Sequence, residues 1–203
     1  HVPGMDVAIG VTAYQLADIT RMATLAAIQG RNTTTRVAKT VEKSLSQAWK
    51  PAEEVWTHTF EIARHASRGV AHAANETTAD RQHLFRAATL GIMRALKRAG
   101  VDPTEAIQGS SYGAVQGAAE TRADLAQAAT QALASAKEAA ESAGLSEEAA
   151  VGLAAEGALA AAEAIGPEAL AKVKDALPSD LSETSLLKPN EAGDSKREND
   201  TGS

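Results

Sequence analysis

Three histidines, His58, His65 and His72, recur every seven residues and have the spacing that most directly suggests chemistry. On an α-helix this spacing returns to nearly the same face, so the three would form one stripe. Seven residues rise about 10.5 Å, whereas zinc ligands lie about 2 Å from the ion, so one helix cannot supply two of them to one ion. We interpret the histidines as boundary residues of a buried face and predict no metal and no cofactor. Packing that responds to pH, and a metal or ligand site completed by other helices, are the alternatives.

Recognisable catalytic motifs are missing from the chain. There is no Gly-rich phosphate loop, no zinc-protease or nucleophile-elbow motif, and no carboxylate–histidine motif of the di-iron kind. Ser110, Ser111 and Tyr112 are adjacent but have no base near them in the sequence. Aromatic residues make up only 3% of the chain, which leaves little material to line a substrate pocket. We therefore predict that the protein is not an enzyme.

A glycine strip, Gly109, Gly113 and Gly117, has glycine at every fourth position, which is one face of a helix. Ala106 extends this strip and Ala114 widens it. Each glycine lowers the stability of a helix interior by about 1 kcal/mol relative to alanine, so a compensating contact is required. The strip predicts the close approach of another helix, either within the fold or across a homo-oligomer.

The elements that would carry these residues are helices. The chain has 46 alanines in 203 residues, and no segment alternates as a strand does. We predict an all-α fold, either an alanine-rich helical bundle or an array of helical hairpins. Asp102 and Pro103 form the clearest helix start, and from there one helix could reach Ala143. Ser146 and Gly166 mark the starts of two more.

A faint internal repeat accompanies these caps. The segment from Ala99 to Gly109 aligns with the segment from Ala143 to Gly152 when Pro103 is skipped, a spacing of 44 residues at the start of the match. That length is typical of helical-hairpin repeats.

Charge and composition divide the chain into three regions. Residues 1–100 form a weakly basic helical region with 13 Lys/Arg and 8 Asp/Glu. Residues 101–177 form an alanine- and glycine-rich acidic helical region. Everything after residue 100 together holds 7 Lys/Arg and 18 Asp/Glu. We predict a disordered tail over residues 178–203, whose polar composition cannot bury enough apolar surface to offset its ordering entropy.

The partners that this composition suggests are proteins. A homo-oligomer or another protein is the main expectation, and the basic segment 64–98 offers an alternative contact with an anionic surface. Nucleic-acid binding is disfavoured because that segment has Phe85 as its one aromatic residue. No apolar run is long enough to predict a transmembrane segment, and we expect a cytoplasmic protein.

In composition the chain is similar to bacterial phasins, which coat polyester granules. The resemblance rests on alanine-rich helices, the absence of cysteine and a polar tail, and it covers no motif. It implies binding to a granule or membrane surface through amphipathic helices. The residues themselves favour a non-enzymatic structural or protein-interaction protein that self-associates through the glycine strip, and the phasin-like function is the alternative.

Overall fold

A computed structural model describes residues 13–28, 33–55, 59–77 and 81–184, and within them the regular structure is helical. The helices are α1 (Ala13–Ile28), α2 (Thr33–Val55), α3 (Thr59–Asn75), α4 (Arg81–Ala99), α5 (Pro103–Glu120), α6 (Leu125–Ala143), α7 (Glu147–Ile165), α8 (Pro167–Ala176) and α9 (Ser179–Thr184). The predicted all-α fold is confirmed.

The helices form two layers. In the odd layer, α1 packs on α3, α3 on α5, and α5 on α7; in the even layer, α2 packs on α4, α4 on α6, and α6 on α8. Each odd helix is joined to the following even helix as a hairpin. Each helix thus packs on the helix two positions away in the chain, as expected for an array of hairpins.

The array has a period of 44 residues. Helices α3, α5 and α7 begin at Thr59, Pro103 and Glu147, each 44 residues after the one before. Helices α2, α4 and α6 end at Val55, Ala99 and Ala143 with the same spacing. The sequence alignment that paired Gly109 with Gly152 is therefore out of register by one residue, and the helix starts pair Gly109 with Leu153 instead.

The segment from Pro103 to Ala143 contains two helices, and the prediction that one helix could span it is wrong. Arg122, between α5 and α6, has a φ of 56°, in the left-handed region that ends helices. Asp124 then caps α6 by accepting a hydrogen bond from the Gln127 backbone N–H at 3.1 Å. The predicted caps at Asp102 and Ser146 are both present, and each accepts a backbone N–H bond.

The core lies between the two layers. The largest fully buried side chains lie mainly in the first five helices, among them Leu16, Leu45, Ile92 and Ile107. Towards α7 the buried positions are mostly alanine. Helices built this way approach closely, because alanine fills little space between two backbones.

The structure corrects part of the predicted tail. Ser179–Thr184 forms the short helix α9, and Leu181 packs against the core. The rest of the predicted disordered segment, residues 185–203, lies outside the described residues. Within the described part of the chain, no helix is both long and apolar enough to cross a bilayer.

Candidate functional site

The glycine strip lies between α5 and α3 of the same chain. An ideal Cβ at Gly109 would overlap the backbone carbonyl of Phe60, and one at Gly113 would overlap the carbonyl of Arg64. At Gly117 it would lie 2.6 Å from the Ala71 Cβ. All three glycines are buried. Their missing side chains allow the backbones of α5 and α3 to touch.

The same close approach recurs along the odd layer. Gly69, Gly113 and Gly157 are 44 residues apart and occupy equivalent places in α3, α5 and α7. A Cβ at Gly157 would overlap the carbonyl of Gln108, which is 49 residues earlier, just as Arg64 is 49 residues before Gly113. A Cβ at Gly69 would overlap atoms of α1. One glycine in each repeat therefore sets the spacing of the odd layer.

The two alanines predicted to join the strip, Ala106 and Ala114, are buried, but they line spaces outside the contact between the glycines and α3. Ala106 is 1% exposed and lines a groove with Met93 and Leu96 of α4. Ala114 is also 1% exposed and lines a gap shared by α3, α4 and α6. The glycines thus face α3, while Ala106 contributes to the contact between the layers.

Sequence reasoning missed Gly69, Gly91 and Gly157. Gly91 does in the even layer what the strip does in the odd layer, since its Cβ would overlap the carbonyl of Ala38 in α2. A signal for two of them was available, because the 44-residue period applied to Gly113 gives Gly69 and Gly157. Gly69 is the only glycine of α3, and Gly157 shares α7 with Gly152 at a spacing of five, so neither belongs to a series of glycines four residues apart.

A row of polar side chains runs beside the glycine strip and joins α3 to α5. Glu120 accepts hydrogen bonds at its Oε2 from Arg68 Nε at 2.6 Å and contacts His72 Nε2 at 2.8 Å. Arg64 Nε donates to Gln116 Oε1 at 2.8 Å, and its guanidinium lies 4.5 Å from the centre of the Tyr112 ring. These pairs fix the side-by-side register of the two helices.

The charge state of Glu120 follows from these contacts. Burial raises the pKa of its carboxyl, but hydrogen bonds from Arg68 and His72 and the charge of Arg68 outweigh burial and hold the pKa below its usual value. Glu120 is therefore ionised at neutral pH and completes the row as a carboxylate.

The histidines do not form one site. His58 lies outside the described residues. His65 is buried, with Nε2 3.5 Å from Glu61 Oε2, whereas His72 is half-buried beside Glu120. Among the residues that the structure describes, no group of three or more His, Asp or Glu side chains is arranged to hold a metal ion.

The burial of His65 makes the stability of the fold depend on pH. Burial lowers the pKa of its imidazole below the usual value, and the neighbouring Arg64 charge adds to the effect, while Glu61 opposes it. The buried ring therefore resists a proton that the unfolded chain accepts. The neutral ring contributes stability that is fully present above the unfolded pKa and is lost as the pH falls.

We expect the free energy of unfolding to decrease as the pH drops below about 6.5, the ordinary histidine pKa. His65→Gln should reduce this slope. Urea unfolding of the wild type and the variant between pH 7.5 and 5 measures the two slopes. Equal pH slopes in the wild type and His65→Gln would contradict the assignment to His65.

The basic segment 64–98 is divided between two surfaces. Arg64 and Arg68 lie on α3, where they bond to Glu61, Gln116 and Glu120. The remaining basic residues lie on α4, which has no acidic residue. The residues of this segment that remain candidates for contact with an anionic surface therefore lie on α4, in the even layer.

Comparison with known proteins identifies the architecture. No family model matches the chain, and no curated protein matches it. The crystal structure of the de novo designed helical repeat protein DHR7 is similar, with a TM-score of 0.56 and 22% identity over 87% of this chain and 98% of that chain. At this identity the likeness shows the fold alone, which is that of a helical repeat protein.

Proposed function

We propose that the protein is a non-enzymatic scaffold that self-associates. The observation that supports the scaffold is the repeating glycine contact, in which Gly69, Gly113 and Gly157 hold successive hairpins together in one array. Arrays of this kind present extended surfaces to other proteins, and their stability comes from contacts between neighbouring repeats. The polar side chains beside the glycines are hydrogen-bonded to each other between α3 and α5, as expected for residues with a structural role.

The surface proposed for self-association is the pair of array ends rather than the glycine strip. The strip is buried against α3, so another copy could reach it only if the α3–α5 contact opened. The described residues include two exposed large apolar side chains, Met22 at 53% and Ile165 at 44%. They lie on α1 and α7, the first and last of the four long helices of the odd layer. Among the described residues, the short helix α9 also packs on α7.

Light scattering coupled to size exclusion tests this proposal. We expect a mass above that of one chain, which returns to that of one chain in Ile165→Glu and Met22→Glu. Ala134→Glu adds the same charge at an exposed position of α6, in the middle of the array, and should leave the mass unchanged. A wild type that stays monomeric at high concentration would overturn self-association.

A second candidate function, binding to an anionic surface, is favoured by one observation. Lys39 and Lys43 of α2, with Arg94 and Lys97 of α4, are exposed and have no ion-pair partner among the described residues. We call these four residues the basic face. Gly91 brings α4 against α2, so the four charges lie on neighbouring helices. A phasin-like attachment to a granule or membrane would use this face.

Flotation with anionic and neutral vesicles tests the second candidate. The wild type should float with anionic vesicles at low salt, and Arg94→Gln/Lys97→Gln should remain at the bottom. Lys172→Gln/Lys174→Gln removes the same charge from α8 and serves as the control. Absence of the wild type from the floating fraction at low salt would exclude this function.

A further inference from the structure

The middle of the array has hydroxyl groups at two core positions where the neighbouring repeats are apolar. In the 44-residue register Thr89 of α4 and Ser110 of α5 each align with two residues of other repeats. The aligned residues are Leu45 and Leu133 for Thr89, and Ala66 and Ala154 for Ser110. Thr89 and Ser110 are both 5% exposed, so the hydroxyls are as buried as the apolar residues that they replace.

Thr89 and Ser110 line the same cavity between α4, α5 and α6. Ser111 also lines it, and the other walls are apolar and include Phe85, Met93 and Ile107. The space left for the centre of a water molecule is about 10 Å³. This is close to the smallest space that holds one water, and it is too small for an organic ligand.

Neither Thr89 Oγ1 nor Ser110 Oγ has a hydrogen-bond partner among the residues that the structure describes. Two other buried hydroxyls are bonded within their own helices, whereas Ser67 Oγ of α3, which does not line this cavity, also has no partner among the described residues. Thr24 Oγ1 donates to the Thr20 carbonyl at 2.7 Å, and Ser135 Oγ donates to the Gln131 carbonyl at 2.8 Å. An unpaired buried hydroxyl is costly, so two of them at one cavity point to a shared partner.

We propose that this cavity is a hydration site, in which one water molecule is bound by the hydroxyls of Thr89 and Ser110. A buried water typically makes two to four hydrogen bonds, and these two hydroxyls supply the first two. Met93, a flexible side chain, lines both this cavity and an adjoining groove. The water would make Thr89 and Ser110 a coupled pair that is specific to this repeat.

Magnetic relaxation dispersion of water nuclei counts long-lived buried waters and tests the proposal. The variant Thr89→Val/Ser110→Ala removes both hydroxyls with little change of volume and should lose the dispersion of one water. The control variant Thr24→Val/Ser135→Ala removes two hydroxyls that are bonded locally and should match the wild type. Equal dispersion in the wild type and Thr89→Val/Ser110→Ala would overturn the proposal.

A crystal structure of the wild type decides the matter if that double variant fails to fold. Density for a water within hydrogen-bond distance of both hydroxyl oxygens supports the site. Hydroxyls that instead donate to carbonyls of their own helices, beside a dry cavity, would refute it.

Discussion

Gly113→Ala is expected to destabilise the protein by about 2–3 kcal/mol, although alanine is the better helix former. The added Cβ would overlap the Arg64 carbonyl, which is backbone and cannot rotate away. Helices α5 and α3 would have to separate, and the bonds from Arg64 and Arg68 across this contact would lengthen. Urea unfolding followed by circular dichroism measures the loss.

Gly152→Ala is the matched control for this prediction. Gly152 is also a helical glycine, but a Cβ there would meet nothing within 4 Å. Substitution should therefore stabilise the protein by about 0.5–1 kcal/mol through helix propensity alone. If Gly113→Ala were as stable as Gly152→Ala, the close contact between α5 and α3 would not exist.

Ile107→Ala is expected to lower the free energy of unfolding by about 2–5 kcal/mol. Ile107 is 2% exposed, and with Phe85 and Met93 it is one of the large apolar side chains around the cavity between α4, α5 and α6. Its truncation also enlarges an existing cavity, which the surrounding helices cannot fill without moving. Chemical denaturation gives the change in unfolding free energy.

Ile165→Ala removes the same atoms from a position that is 44% exposed. At concentrations where the protein is monomeric, this variant should unfold within about 0.5 kcal/mol of the wild type. A similar cost for both isoleucine variants would mean that Ile107 does not lie in the core.

Much of the fold could be predicted because it depends on local signals. Asp102 and Ser146 cap helices through bonds to backbone N–H groups two or three residues away, and Gly144 ends α6 with a φ of 74°. Such caps require no knowledge of the tertiary structure. The break before α6 was missed because no glycine or proline marks it, and Arg122 adopts the left-handed conformation instead.

The candidate site could be predicted only in part, because its partner is set by tertiary register. The spacing of Gly109, Gly113 and Gly117 indicates that a helix comes close, but alanine-rich surfaces give no side-chain feature that identifies which one. The helix that comes close is α3, and each strip glycine contacts a residue 49 positions earlier in the chain. Glu120 pairs with Arg68 and His72, which lie 52 and 48 residues earlier, through the same packing of α5 on α3, and no local signal indicates these pairs.

The central claim is that the glycine strip packs against α3 of the same chain, and cross-linking tests it most directly. The chain has no cysteine, so His72→Cys/Glu120→Cys introduces the only two thiols. The native side chains at these positions are in contact, with His72 Nε2 2.8 Å from Glu120 Oε2. After treatment with a short bismaleimide and denaturation, we expect a cross-linked product with the mass of one chain, 20.9 kDa. A product that consists mainly of covalently linked pairs of chains would contradict the account.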